Sequence, residues 1–238
     1  MITKTKRLVL PRTIKIARKT HFWGASASPG KHDREHSIPL LILLRDYLHL
    51  GDKEREIARM LANRQVAVDG KVVREKRFGV GFMDVVSILP TGEHFRITYD
   101  TLGRLVPVRI EEGEAQIKPL RIKGKRSIDN SRFQITFHDG RNMITQDKDL
   151  RPGDVVIFDL KSRSVVEKLK FQPGNRAFLT GGSHVGEIGT IKKIEVKESS
   201  HANLVHFEEG FSTVQDYAFV ISSPKYSFNI KVQGGAQS

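Results

Sequence analysis

Residues 37–73 read SIPLLILLRDYLHLGDKEREIARMLANRQVAVDGKVV, and the fold turns on this stretch. Ser37 or Ile38 can cap a first helix, with Pro39 in its opening turn. Leu40, Leu44, Tyr47 and Leu48 share one helical face, and Leu41 and Leu43 widen it, so this helix is deeply packed. Gly51 ends it and Asp52 caps the next helix. Ile57, Met60 and Leu61 form the apolar stripe of that second helix, while Arg55 and Arg59, four apart, stack on its outer side. Two short β-branched runs, Val66–Val68 and Lys71–Val73, then flank Asp69-Gly70, a strong hairpin signal. Gly79 to Leu89 adds a further strand. Residues 38 to about 90 therefore read as helix–helix–hairpin–strand.

Outward from that unit, the signal is nearly all strand. Phe95, Ile97 and Tyr99 alternate, as do Val106, Val108 and Ile110, then Phe133, Ile135 and Phe137, and finally Tyr217, Phe219 and Ile221. Asp139-Gly140, Pro152-Gly153 and Pro173-Gly174 punctuate the runs. Such regular turns indicate small β-barrels or sandwiches. The expected class is α+β, mostly β. From Thr180 to Ile191 four glycines fall within twelve residues. Gly181-Gly182 suits a tight turn, and Gly189, inside a strand pattern, implies close backbone approach or a bulge. No Gly-Lys-Ser/Thr follows, so a phosphate cradle of the nucleotide-binding kind is not expected.

The 238 residues hold 40 Lys/Arg against 27 Asp/Glu, a net charge of +13, and no cysteine. The missing thiols exclude disulfides, Cys-ligated zinc, iron–sulfur clusters and a thiol nucleophile. No apolar run approaches the ~20 residues that span a bilayer. The basic start precedes only Leu8-Val9-Leu10, too short for a signal-peptide core. A soluble, cytoplasmic protein drawn to polyanions is expected. Residues 1–37 carry +7, residues 38–100 +1, residues 101–170 +5, and residues 171–238 zero. The leader contains Lys4, Lys6, Arg7, Arg12, Lys15, Arg18, Lys19, Lys31 and Arg34, interleaved with His21, Phe22 and Trp23. With so little apolar surface it is expected to be an extended arm that orders on nucleic acid, releasing counterions and stacking aromatic faces on bases. A solvated basic tail is the plainer alternative, and Trp23 could instead dock on the body. A second concentration comprises Lys118, Arg121, Lys123, Lys125, Arg126 and Arg132, read as a basic ridge or an ordinary solvated loop.

Chemistry leaves no comparable mark. His21, His32 and His36 lie in the leader, and His201 and His206 lack metal-ligand helical spacing. There is no Gly-x-Ser-x-Gly setting for a serine nucleophile. Glu111-Glu112 and Glu208-Glu209 look like exposed turns, not a split carboxylate pair. No catalysis is expected.

The helix–helix–hairpin unit ending at Val68-Asp69-Gly70-Lys71-Val72-Val73 resembles the alpha-L RNA-binding fold. The glycine-rich strand pair from Ala177 to Val196 resembles the KOW motif. With Ser28-Pro29-Gly30-Lys31-His32, Gly81 to Ile88, Thr91 to Arg96, Tyr99-Asp100-Thr101 and Thr180-Gly181-Gly182, the whole chain resembles the archaeal and eukaryotic e-type small-subunit ribosomal protein four family. The resemblance implies four parts: a basic arm over 1–37, an alpha-L-type domain over 38–92, a central β-domain over 93–172, and a KOW/SH3-like β-domain with a short tail over 173–238. It implies a structural ribosomal protein bound to small-subunit rRNA beside neighbouring ribosomal proteins, with no cofactor, metal, membrane, small-molecule substrate or homo-oligomer. Arg55, Arg59, Arg64, Lys71, Arg74, Lys76 and Arg77 would form the cationic wall of the alpha-L domain. Two positions depart from the usual pattern: Lys53-Glu54 stand where a Ser-Arg pair is usual, and Arg64 where a glycine precedes the hairpin. The end after Gly234-Gly235 carries no basic extension, which suits an archaeal-type form. Rival readings are an RNA-modifying enzyme with an appended alpha-L module, and a KOW-type transcription–translation factor.

Overall fold

The structure, a computed structural model, describes residues 4–129, 131–197, 202–222 and 228. The Lys4 side chain, His201 and the Gly234-Gly235 tail lie outside the described residues. The class is α+β and mostly β, with 41% strand and 13% helix. The chain divides into two compact units, Met1–Lys118 and Pro119–Ser238.

The first unit opens with β1 (Lys4–Lys6), antiparallel to β2 (Trp23–Ala25). β3 (Ser37–Pro39) leads into helix α1 (Leu40–Ile42), which continues as a π-helical stretch, Leu43–Tyr47, and is followed by α2 (Glu54–Ala62). β4 (Val66–Val68) and β5 (Lys71–Val72) form the expected hairpin. Its turn residues take φ of 49° at Asp69 and 73° at Gly70, the paired positive values of a type I′ turn. The Gly79–Leu89 stretch is two strands, β6 (Gly79–Gly81) and β7 (Val85–Ile88), because Met83 turns the chain at φ 64°. β8 (Glu93–Tyr99) and β9 (Leu105–Ile110) complete a five-stranded sheet in the order β5-β4-β7-β8-β9, before the short helix α3 (Glu112–Ala115). The register pairs Ile88 with Glu93, so this sheet runs straight across residues 92 and 93.

Helix starts differ from expectation for a tertiary reason. Ser37 and Pro39 lie in β3, paired with β6, rather than in a cap and first turn. The N–H groups of Leu40 and Leu41 donate to the carbonyls of Phe78 and Lys76 at 2.9 and 2.8 Å, so a neighbouring segment satisfies the helix's first donors. At α2 the cap is not the Asp52 side chain. The Glu56 carboxylate reaches back to accept from the Asp52 and Lys53 N–H groups at 2.9 and 3.1 Å. Those two bonds hold the Glu56 carboxyl below its usual range. Leu40–Leu44, spanning α1 and its π-helical continuation, are buried, as are Ile57 and Leu61 of α2 and Val66, Val68, Val85, Val86, Ile88 and Ile97 of the sheet.

The leader is not a floppy arm: Leu10 and Ile14 are 4% and 2% exposed. Leu105 N–H donates to the Thr13 carbonyl at 2.8 Å, and Tyr47 Oη accepts from the Lys15 N–H at 2.6 Å. Two well-placed apolar anchors and borrowed hydrogen bonds order a segment whose composition alone argues for disorder.

β10 (Ile117–Ser127), which from Pro119 onward belongs to the second unit, β11 (Phe133–Phe137), β12 (Asn142–Thr145), β13 (Val155–Asp159) and β14 (Val165–Leu169) form a sheet in the order β12-β11-β10-β13-β14. Leu120, Ile122, Ile135, Phe137, Leu150 and Val156 are its core. A second five-stranded sheet holds β15 (Arg176–Leu179), β16 (Ile188–Glu195), β17 (Leu204–Phe207), β18 (Ser212–Val214) and β19 (Ala218–Val220), ordered β18-β17-β16-β15-β19. A bulge at Ile191/Lys193 interrupts β16.

Candidate nucleic-acid interface

The cations that sequence reading groups together separate into two kinds. One kind is spent inside the fold. Arg7 is 5% exposed and its Nε donates to the Ala17 carbonyl at 2.6 Å. Arg18 forks onto the carbonyls of Leu10 and Pro11 at 2.6 and 2.8 Å. Both arginines therefore brace the leader; Arg7 is too buried to lie on an RNA backbone, a correction to its expected role.

Lys118 is corrected more sharply, since it is wholly buried. Its Nζ donates to Asp69 Oδ2 at 2.8 Å and Asp84 Oδ1 at 2.5 Å. The same two carboxylates hold the leader: Lys31 Nζ donates to Asp69 Oδ2 at 2.7 Å, and His32 Nε2 lies 2.8 Å from Asp84 Oδ2. Burial opposes ionisation of Asp84, but Lys118 and His32, with Lys31, hold its carboxyl well below the usual range. A Cβ at Gly81 would meet the His32 ring at 2.4 Å, so only glycine lets that ring lie against β6. The Ser28–His32 motif is thus a clasp between leader and hairpin. Close by in sequence, Arg77 Nε donates to the Ser26 carbonyl at 3.0 Å, and Lys76 pairs with Glu54 at 2.6 Å.

The expected ridge after Lys118 is reduced in the same way. Arg121 turns to Asp216, its Nη2 2.9 Å from Oδ1. Lys125 Nζ donates to the carbonyls of Lys148 and Leu150 at 2.8 and 3.0 Å and sits 4.3 Å from the Phe133 ring centre. Arg132 pairs with Asp129. Lys123 and Arg126 remain exposed.

The second kind is solvent-facing. Lys6, Arg12, Lys15, Lys19, His21 and Arg34 of the leader are exposed, as are Arg55, Arg59, Arg64, Lys71 and Arg74. Among the described residues none of these side chains is held by a carboxylate. Arg55 and Arg59 sit one turn apart on the outer face of α2, opposite Ile57 and Leu61. Arg64 adopts φ 58°, the left-handed conformation that explains why glycine suits this position. Beside the leader cations two large rings stand in water: Phe22 is 64% exposed and Trp23 54%. They meet edge to face at 4.8 Å, and Lys6 Nζ lies 5.7 Å from the Phe22 ring centre. Trp23 is therefore presented outward, not docked as an anchor. The surface thus offers both exposed cations suited to phosphate and exposed rings suited to stacking.

Sequence reading missed Arg45 and His49. They line a cleft of about 610 Å³ with the leader residues Lys15 and His21. Their only signal is proximity to Gly51, where the helix had to end. The glycine-rich Thr180–Ile191 stretch serves packing. A Cβ at Gly181 would meet Tyr217 at 2.6 Å, and one at Gly189 would meet Phe207 at 2.7 Å, which bears out close approach at Gly189.

Comparison with known proteins points one way. Residues 91–165 match the model of ribosomal family S4e. Small ribosomal subunit protein eS4 of Thermoplasma volcanium is 56% identical over 230 residues, covering 97% of both chains. That of Picrophilus torridus is 54% identical over 231 residues, again covering 97% of each. The crystal structure of the 30S ribosomal protein S4e from Thermoplasma acidophilum superposes with a TM-score of 0.75 at 49% identity, covering 82% of this chain and 99% of that one.

Proposed function

The chain belongs to ribosomal protein family S4e, and we propose that it is a structural component of the small ribosomal subunit that binds rRNA and catalyses no reaction. The observation that supports RNA contact is the set of solvent-facing cations that no carboxylate holds among the described residues, together with the exposed rings of Phe22 and Trp23. A-form RNA hides its base edges in a deep groove, so contact runs through phosphates, 2′-hydroxyls and unpaired bases. Arg12, Arg55, Arg59, Arg64 and Arg74 supply planar forks for phosphate; Lys6, Lys15, Lys19 and Lys71 supply mobile point charges. Trp23 and Phe22 stack on unpaired bases. The neutral C-terminal module, over 173–238, faces neighbouring ribosomal proteins or solvent. Family membership disfavours both rivals, the RNA-modifying enzyme and the transcription–translation factor.

The test uses Trp23, the single tryptophan, as a reporter. Titration with small-subunit rRNA should quench its emission, and the affinity should fall steeply with salt. The protein should also sediment stoichiometrically with small subunits in high-salt gradients. Equal affinity for unrelated RNAs, or absence from purified subunits, would overturn the assignment.

A further inference from the structure

The cleft between the leader and the end of the first helix is large enough for one nucleotide. Arg7, Lys15, His21, Arg45, His49 and Asp52 line it, and its volume of about 610 Å³ falls within the range of small-ligand sites. The Arg7 side chain is only 6% exposed, yet its guanidinium reaches this lining and lies 3.8 Å from Asp46. Arg45 Nη2 holds the same Asp46 at 2.8 Å, so one carboxylate is shared by two arginines and the floor stays positive. Lys15 adds an exposed ammonium, and the imidazoles of His21 and His49 complete the lining. Asp52 differs from Asp46 in that no cation among the described residues holds its carboxylate; only its backbone N–H is used, by Glu56. A free carboxylate beside a cationic floor is an acceptor suited to paired donors. Among RNA bases only guanine presents two adjacent donors, N1–H and the 2-amino group, on its Watson–Crick edge.

We propose that this cleft takes a single unpaired guanosine nucleotide of the bound RNA, its phosphate against Lys15 and Arg45 and its Watson–Crick edge on Asp52. The proposal deepens the rRNA-binding reading and rests on it. A bidentate carboxylate–guanine pair favours guanine by at least about fivefold.

The experiment titrates the full chain with 5′-GMP, 5′-AMP, 5′-CMP and 5′-UMP by isotope-edited NMR. Saturable shifts at residues 15–21 and 45–52, with GMP at least fivefold tighter than AMP, are expected. Asp52→Asn should bring the four nucleotides to within about twofold of one another, and Lys15→Ala should weaken all four. Equal binding of the four by the wild-type chain, or a guanine preference that survives Asp52→Asn, overturns the proposal. A parallel rRNA titration of the wild-type chain separates the two readings. Tight rRNA binding without GMP selectivity sinks the pocket alone. GMP selectivity without rRNA binding marks a site for the free nucleotide and sinks the RNA reading.

Discussion

At the residue scale, Lys118 shows how far position outweighs residue type. Its ammonium donates to both Asp69 and Asp84, and removing it takes a fully buried cation away from two buried carboxylates. Lys118→Met should cost about 3 to 5 kcal/mol in urea unfolding. The pH dependence follows from Asp84. Its folded carboxyl is depressed, so its contribution is full above the unfolded value of about 3.9 and fades as pH falls through the folded one. Unfolding free energy should therefore drop as pH is lowered below about 4, and the drop should be shallower in Lys118→Met. Arg64 makes the opposite case. A left-handed backbone costs a side-chain-bearing residue about 1 to 2 kcal/mol, offset by the greater freedom glycine loses on folding. Arg64→Gly should raise stability by about 0.5 to 1 kcal/mol in thermal unfolding while weakening RNA binding.

At the element scale, the leader behaves as a braced strap, not a tail. Deleting it would also remove Lys31 and His32 from the buried carboxylates, confounding binding with folding. Gln substitution at exposed positions avoids that. Replacing Lys6, Arg12 and Lys19 by Gln should leave unfolding unchanged and lower the log–log salt slope of rRNA binding by about 0.7 to 0.9 for each phosphate left without its cation. An unaltered slope would remove the leader from the interface. In β16 the limit is steric. Gly189→Ala would drive a methyl to 2.7 Å from Phe207 and 3.1 Å from Phe211, and should destabilise the chain by about 1 to 3 kcal/mol, read by thermal unfolding.

At the scale of the whole molecule, net charge misleads until pairing is known. The first unit carries 22 Lys/Arg against 14 acids, the second 18 against 13, so both look basic. Yet the expected ridge in the second unit is largely committed, with Arg121, Lys125 and Arg132 on internal carbonyls or carboxylates. Gln substitution at Arg55, Arg59 and Lys71 should therefore weaken rRNA binding severalfold more than the same change at Arg121, Lys125 and Arg132. Filter binding at fixed salt reads the difference.

The sequence by itself determined the helix–helix–hairpin order, the Asp69-Gly70 turn, the β-rich remainder and the net positive charge. Each rests on interactions between residues a few positions apart, where periodicity and turn chemistry are explicit. Only the tertiary structure decided which cations are free, that the leader folds back, and that one sheet runs through residues 92 and 93. Those outcomes depend on partners such as Lys118 with Asp69, 49 residues apart, and Arg121 with Asp216, 95 apart. A charge is silent about its partner until burial makes an unpaired one too costly to keep.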